Sequence, residues 1–264
     1  MHSVVIFGVT GRMGQSLVRA LREAPELRLG AAVASAGSPG LCRDAAADGP
    51  ASGVLVTADV GQALNGADVA LEFSTAAAVA AHAAACAERG VALLVGATGI
   101  DAPTRRLLET AAQRIAVLIA PNTSVGVAVL TRLAAAAARG LGPGFDAEII
   151  EAHHGLKRDA PSGTALALGE AVAGARGQAL TGAAVYERHG DTGPRPPQSI
   201  GFAVVRAGDI VGEHTVLFAG EGERIEITHR AGDRMIFARG ALRAARWLAG
   251  RDPGLYGMGD VLGA

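Results

Sequence analysis

The stretch Ile6-Phe-Gly-Val-Thr-Gly-Arg-Met-Gly14 joins an apolar run, Val4–Phe7, to a helical pattern over Met13–Ala24. Its glycines have the spacing G-x-x-G-x-x-G, a relative of the G-x-G-x-x-G dinucleotide fingerprint in which Thr10 replaces the second glycine. Glycines allow a tight turn and a close approach of the backbone, and the N-terminus of the following helix attracts a pyrophosphate. The stretch therefore predicts a dinucleotide-binding strand–loop–helix unit, with a plain structural turn as the alternative.

Short apolar runs and helical patterns continue to alternate up to about residue 120. The further predicted strands are Leu29–Ala34, Val54–Thr57, Val69–Phe73, Ala92–Val95 and Ala116–Ile119, and the further predicted helices are Ala76–Arg89 and Pro103–Arg114. Strands that are apolar throughout and separated by helices favour a parallel sheet covered on both faces. We therefore predict an α/β fold with a Rossmann-like, doubly wound parallel sheet. The segment Ser35–Ser52 gives no clear element.

The pattern changes after Pro121. It predicts a helix over Val127–Arg139, a strand over Ala147–Ala152, a helix from Ser162, three alternating strands at Phe202–Arg206, Glu213–Ala219 and Arg224–His229, and a last helix over Met235–Leu248. The three alternating strands predict an antiparallel meander. We expect a first domain of residues 1–124, completed by residues 234–264, and a smaller α+β domain of residues 125–233 with a mostly antiparallel sheet.

Composition excludes several classes of function. The formal net charge of the 264 residues is −1, and only 3% are aromatic, so no feature suggests a nucleic acid or an anionic membrane as partner. The two cysteines form no Cys-x-x-Cys motif. The first apolar run begins almost at the initiator, and we expect no apolar stretch long enough to span a bilayer. The sequence predicts a cytoplasmic metabolic protein.

Lys157 is the one lysine among 24 Lys and Arg residues. A lysine ammonium can give up a proton at accessible pH, which an arginine cannot. His153 and His154 lie just before it, and histidine is the side chain best suited to proton transfer near neutral pH. The segment therefore predicts a proton-handling site, with a chance lysine and structural histidines as the alternative.

The same segment offers an anion site. Ser162, Gly163 and Thr164 stand at a predicted helix start, where backbone N–H groups and hydroxyls attract a carboxylate. An ordinary helix cap is the alternative, and the two are compatible. A metal site formed by Glu151, His153 and His154 is disfavoured, because neighbouring strand residues point to opposite faces. We predict no metal.

The run Glu151-Ala-His-His-Gly-Leu-Lys-Arg-Asp-Ala-Pro-Ser-Gly-Thr-Ala165 resembles the signature of the 4-hydroxy-tetrahydrodipicolinate reductase (dihydrodipicolinate reductase) family. The resemblance covers essentially the whole chain, and it also includes the segments Gly8–Gly14, Gly96–Gly99, Ala120–Val127, Val205–His214 and Ala241–Leu248. It implies the reduction of 4-hydroxy-tetrahydrodipicolinate to tetrahydrodipicolinate with NADH or NADPH, in lysine and diaminopimelate biosynthesis. It also implies a homotetramer assembled through the sheet of the second domain.

The resemblance assigns roles to particular residues. His153 would donate a proton to the cyclic dicarboxylate substrate bound between the domains, and Lys157 would be a second donor. The substrate-binding residues would be His154, Ser162, Gly163 and Thr164. The cofactor-binding residues would be Gly8, Val9, Thr10, Gly11, Arg12, Met13, Gly96, Ala97, Thr98, Ala120, Pro121, Asn122 and Thr123.

One departure from the usual dinucleotide-binding pattern leaves the choice between NADH and NADPH open. An acidic residue after the second strand usually binds the ribose hydroxyls, and an arginine there accommodates a 2′-phosphate. The chain has neither in Ala31–Gly37, so Arg12 or Arg43 is left to supply the contact. Two other functions share the dinucleotide loop: another nicotinamide-dependent dehydrogenase of amino or keto acids, and a catalytically silent dinucleotide-binding sensor.

Overall fold

The computed structural model describes residues 1–263. The strands are β1 (His2–Phe7), β2 (Leu27–Val33), β3 (Val56–Thr57), β4 (Val69–Glu72), β5 (Ala92–Val95), β6 (Ala116–Ile119), β7 (Asp146–His153), β8 (Ala184–Val185), β9 (Ile200–Arg206), β10 (Glu213–Ala219), β11 (Arg224–Arg230) and β12 (Gly254–Tyr256). The helices are α1 (Arg12–Leu21), α2 (Val60–Ala63), α3 (Ala76–Arg89), α4 (Ala102–Ala111), α5 (Val125–Leu141), α6 (Gly163–Ala175), α7 (Leu180–Ala183), α8 (Met235–Leu248) and α9 (Met258–Val261). The chain forms two compact units, one of residues 1–125 with residues 235–263, the other of residues 126–234.

The first unit contains a seven-stranded sheet in the order β12-β6-β5-β4-β1-β2-β3, and all its pairings are parallel. The sequence order reverses beside β1, as in a doubly wound sheet. Strands β1, β4 and β5 are buried almost throughout, as expected for strands covered on both faces. The predicted Rossmann-like fold is confirmed.

Helix α8 packs against α1, and its Arg239 and Arg246 form ion pairs with Glu23 and Glu26 in the connection between α1 and β2. Gly240 allows α8 to approach the loop after β6 closely, because a Cβ at this position would collide with the backbone oxygen of Thr123. The end of the chain then adds β12 beside β6, a strand that the sequence analysis did not predict.

The second unit contains a five-stranded mixed sheet in the order β11-β10-β7-β9-β8. Its β10 pairs antiparallel with β11 and β7, but β9 pairs parallel with β7 and β8. The predicted meander is therefore wrong for β9, because β7 lies between β9 and β10. The connection after β9 passes the end of β7 instead of forming a hairpin, and the N–H of Ala207 donates to the oxygen of His153 at 2.9 Å.

Helices α5 and α6 cover one face of this sheet, with Leu130, Ala134, Leu168 and Val172 in the core. By length and composition, Val125–Gly144 could cross a membrane, which corrects the expectation that no apolar stretch is long enough. One face of this segment, which includes Leu130 and Ala134, packs in this core.

Candidate active site

The glycine-rich loop between β1 and α1 brings the backbone close to neighbouring strands. Gly8 has a φ of +78°, and a Cβ there would lie 2.7 Å from the backbone of Phe73 and Ser74. A Cβ at Gly14 would lie 2.4 Å from the oxygen of Gly8. Gly11 precedes α1 and offers no side-chain cap to the first N–H groups of the helix. The tight turn lets the loop backbone approach a pyrophosphate closely, and the N-terminus of α1 is open to it. The residues of the loop therefore fit a dinucleotide.

A buried hydrogen-bond network holds the segment at the end of β4, which contacts the glycine-rich loop. Glu72 is completely buried and accepts hydrogen bonds from Ser74, from its N–H at 2.7 Å and its hydroxyl at 2.5 Å. His82 Nδ1 contacts the other carboxylate oxygen, and the imidazole stacks on Phe7 with the ring centroids 4.1 Å apart. This network is not among the features predicted from the sequence, although a Glu that ends an otherwise apolar strand signals a buried carboxylate with partners.

The other predicted cofactor segments follow β5 and β6. The N–H groups of Gly96 and Ala97 donate to the oxygen of Glu72, and the N–H of Ala120 donates to the oxygen of Val95 at 2.9 Å. A Cβ at Gly96 would lie 2.2 Å from the ring of Phe73. The loops after β1, β4, β5 and β6 thus meet at the carboxyl edge of the sheet, where doubly wound folds bind their ligands.

Exposure differs among the predicted cofactor residues. Ala97, Ala120 and Thr123 are buried, and the hydroxyl of Thr123 donates to the oxygen of Phe237 at 2.7 Å. Thr98 and Pro121 are exposed. The buried positions shape the edge of the sheet, and the exposed ones are available to a ligand.

In the second unit, His153 ends β7 and is 9% exposed. Its Nδ1 lies 2.6 Å from Oε2 of Glu151, two residues earlier on the same face of the strand. A Cβ on Gly212 would lie 3.0 Å from His153 Nε2, so glycine leaves room at this nitrogen. The geometry assigns the Nδ1 proton to the hydrogen bond with Glu151 and leaves Nε2 for a reacting group.

Glu151 holds several donors at once. Nη1 and Nη2 of Arg206 each donate to one of its oxygens at 2.8 Å, and the N–H of Ser162 donates to Oε1 at 3.0 Å. Burial alone would raise the pKa of Glu151, but the hydrogen bonds from Arg206, His153 and Ser162 outweigh it, and the pKa lies below its ordinary value. The side chain is therefore a buried carboxylate anion.

Burial lowers the pKa of His153 below its ordinary value, and the positive charges of Lys157 and Arg206 lower it further. The hydrogen bond to Glu151 opposes these effects without cancelling them. An imidazolium in this environment gives up its proton more readily than one in water.

His214 of β10 packs its ring edge-on to His153, with the centroids 5.1 Å apart. Burial, together with the nearby His153, lowers the pKa of His214 to about 4, so this imidazole is neutral. Its Nε2 lies 3.1 Å from the hydroxyl of Ser162, which also accepts from the N–H of Ala165 as the cap of α6. Ser162 is 2% exposed and acts within the protein, whereas Gly163 is exposed and Thr164 partly so.

Lys157 lies in the turn after β7. Its N–H donates to the oxygen of His154, and Nζ lies 2.9 Å from Oδ1 of Asp159. The lysine side chain is 22% exposed and His154 is partly exposed. The structure thus places His153, His154, Lys157 and the start of α6 in one region of the second unit, as the sequence predicted.

The residue pattern alone does not single out Arg206 and His214 as site residues, and it suggests Glu151 only as a disfavoured metal ligand. The spacing Glu151-x-His153 was a usable signal, because alternate residues of a strand share a face. Arg206 stands 55 positions after Glu151, and its signal is its place in the segment Val205–His214, which shares the family resemblance.

Two family models match this chain. The model described as "Dihydrodipicolinate reductase, N-terminus" matches residues 2–123, and the one described as "Dihydrodipicolinate reductase, C-terminus" matches residues 126–262. The chain belongs to the dihydrodipicolinate reductase family. The resemblance predicted from the sequence is confirmed, and the assignment to an oxidoreductase family with it.

Relatives of this family match along their whole length. A protein of Anaeromyxobacter dehalogenans named 4-hydroxy-tetrahydrodipicolinate reductase is 52% identical over 265 residues, covering 100% of this chain and 98% of the relative. One of Thiobacillus denitrificans with the same name is 53% identical over 261 residues, covering 98% of each.

Two solved structures are similar to this chain, and one of them is a dihydrodipicolinate reductase. A dipicolinate-bound dihydrodipicolinate reductase of a Paenisporosarcina species has a TM-score of 0.80 at 25% identity, covering 98% of this chain and 99% of the other. An amine dehydrogenase of Mycobacterium smegmatis, with a TM-score of 0.61 at 14% identity, shares the fold alone.

Proposed function

We propose that this chain reduces 4-hydroxy-tetrahydrodipicolinate to tetrahydrodipicolinate with NADH or NADPH, in lysine and diaminopimelate biosynthesis. The observation that carries the proposal is the hydrogen-bonded chain Arg206–Glu151–His153 beside Lys157, in a member of the dihydrodipicolinate reductase family. These side chains provide an acid at Nε2 of His153 and a second cation near it, as the addition of a proton to an anionic intermediate requires.

The first unit would hold the cofactor, which supplies a hydride when bound. Gly8–Met13 would face the pyrophosphate, since their backbone forms the tight turn before α1. Gly96–Thr98 and Ala120–Thr123 would line the nicotinamide side at the ends of β5 and β6. We accordingly assign residues 1–124, with residues 234–264, to a dinucleotide-binding domain and residues 125–233 to substrate binding and assembly.

The residues of the second unit would move protons and hold the substrate. His153 gives a proton from Nε2 while Glu151 holds Nδ1 and fixes the ring. The Lys157 ammonium neutralises a substrate carboxylate and serves as a second donor, and Asp159 steadies it. His154, Gly163 and Thr164 bind the second carboxylate at the N-terminus of α6, where the helix dipole favours an anion. Ser162 contributes by capping the helix and by binding Glu151.

We also propose a homotetramer assembled through the outer face of the five-stranded sheet. Ile150 is 37% exposed and Val205 46% exposed, and both lie on the face opposite to the core residue Ile149. Apolar side chains that cluster on an open sheet face are typical of an interface. Light scattering should give four times the mass of one chain, and Ile150→Glu should reduce this mass. Leu107→Glu, at an exposed apolar position of α4, should not.

We place the protein in the cytoplasm. Cys42 is exposed and free, which is typical of a reducing compartment. The substrate and the cofactor are small molecules, with no nucleic acid or membrane as partner.

The test is oxidation of NADH and NADPH by the purified protein, with the substrate generated in place from pyruvate and aspartate semialdehyde by the preceding synthase. Oxidation that depends on the synthase supports the proposal. His153→Gln should abolish it, whereas His189→Gln, in an exposed loop of the same unit, should not. Cofactor binding without any turnover would instead favour a silent sensor.

A further inference from the structure

A cavity of about 580 Å³ opens beside the dinucleotide loop, in the first unit. Its lining includes Thr10 of the loop, Gln15 of α1, and Ser38, Gly40 and Arg43 from the segment after β2. The two walls are in close contact, since a Cβ at Gly40 would lie 2.7 Å from the methyl group of Thr10. A dinucleotide whose pyrophosphate lies on the loop would place its adenosine ribose on this side, beyond the end of the second strand.

The cavity has no carboxylate free to bind ribose hydroxyls. The end of β2 is followed by Ala34 and Ser35. Asp44 also lines the cavity, but its Oδ1 accepts from Ala46 N, Ser52 N and the hydroxyl of Ser52 at 2.8 to 2.9 Å, and its Oδ2 accepts from Gly53 N at 2.9 Å. These four donors tie Asp44 to its own loop and use most of the acceptor capacity of its carboxylate.

Arg43 is the cation of this cavity. Within residues 1–263 its guanidinium has no hydrogen-bond or ion-pair partner, although its backbone is fixed by bonds with Gly40 and Val56. Cys42, immediately before it, has a φ of +59°, a conformation that residues other than glycine seldom adopt. The segment thus holds at the wall of this cavity an exposed guanidinium without a partner among residues 1–263, with the hydroxyl of Ser38 on the same lining.

We infer that Arg43, assisted by Ser38, binds the 2′-phosphate of NADPH, and that this chain prefers NADPH to NADH. An arginine guanidinium matches a phosphate with parallel N–H donors and needs no carboxylate nearby. The inference rests on the proposed function, because it takes the cofactor to be a nicotinamide dinucleotide. In many dinucleotide-binding folds the residue that binds the ribose or its 2′-phosphate stands directly after the second strand, at about the position of Ser35 here. In this chain Arg43, eight positions further along, would make that contact.

The test is calorimetric titration of the protein with NADPH and with NADH, without substrate. The wild type should bind NADPH more tightly, and Arg43→Gln should weaken NADPH binding about 10- to 100-fold while changing NADH binding less than about threefold. Arg28→Gln, an exposed arginine of β2 outside the cavity, is the matched control and should change neither. Thermal melts of both variants check that the fold is kept.

Two outcomes would overturn the inference alone: equal binding of the two cofactors by the wild type, or an equal loss of both in Arg43→Gln. If the wild type binds neither cofactor, the proposed function itself fails.

Discussion

Glu151→Gln removes a charge from the centre of the candidate active site while keeping the shape of the side chain. The carboxylate now accepts from Arg206 twice, from Ser162 N and from His153 Nδ1. A glutamine has one acceptor oxygen, and its NH₂ group must face an N–H of Arg206 in either orientation of the amide. The variant therefore loses the charge that holds His153 and leaves part of the guanidinium unsatisfied.

The structure gives the size and the sign of the effect. A hydrogen bond to a charged group contributes about 1.5 to 3 kcal/mol, and each 1.4 kcal/mol is about a factor of ten. We expect kcat at neutral pH to fall roughly 10- to 100-fold. Glu151 raises the pKa of His153, so the variant's imidazolium loses its proton at lower pH, and the decline of kcat/KM with rising pH should begin earlier.

The assay is the pH profile of kcat/KM, measured by cofactor oxidation. Glu148→Gln is the matched control, because Glu148 lies on the same strand and binds Arg188 and Arg195 away from His153. Both variants should lower the melting temperature, but only Glu151→Gln should move the pH profile. An unmoved profile in Glu151→Gln, or the same shift in both variants, would refute the positioning role of Glu151.

Three further predictions concern neighbouring groups. Lys157→Arg keeps the charge near Asp159 but cannot readily give up a proton, so kcat should fall by at least about 100-fold with cofactor affinity intact; wild-type turnover would contradict the role. Gly212→Ala should press a Cβ against His153 and reduce kcat about 100-fold, whereas Gly155→Ala, where a Cβ meets no atom within 4 Å, should not; equal kinetics would refute the contact. Burial lowers the pKa of His214 to about 4, so its contribution to stability is present above pH 6.5 and is lost as the pH falls towards 4. Urea unfolding at pH 7 and pH 4.5 should show the wild type losing up to about 3 kcal/mol more than His214→Gln, and parallel losses would exclude this origin.

The sequence predicts the first unit well because its signals are local. Runs such as Val4–Phe7 and Ala92–Val95 are apolar on both faces, and only a doubly covered parallel sheet buries them in this way. The three-residue strand β12 was not predicted, because Gly254-Leu-Tyr256 contains no such apolar run. This strand is formed by pairing with the edge of β6. Alternation showed which face of β9 is buried but could not show its neighbour, so the position of β7 between β9 and β10 was missed.

The conformation of the segment between β2 and β3 could not be predicted from the sequence, for a second reason. It has almost no regular structure, and its order comes from side chains far along the chain. Gln15 of α1 donates to the oxygens of Val9 and Ala45 and accepts from the N–H of Ala47. These hydrogen bonds depend on the position of α1 in the folded protein. Neither the composition nor the periodicity of Ser35–Ser52 indicates them.

In the candidate site, side chains from three strands leave Nε2 as the one ring nitrogen of His153 from which a proton can pass to a substrate. Arg206 of β9 occupies both oxygens of Glu151, which weakens the hold of this carboxylate on the His153 proton and makes the imidazolium a stronger acid. His214 of β10 lies against the same ring, yet burial keeps it neutral and prevents it from competing for that proton at working pH. Since Glu151 occupies Nδ1, the proton can leave only from Nε2, where Gly212 keeps the space open. The proposed acid role of His153 thus depends also on Arg206, His214 and Gly212, which lie outside the segment Glu151–Ala165.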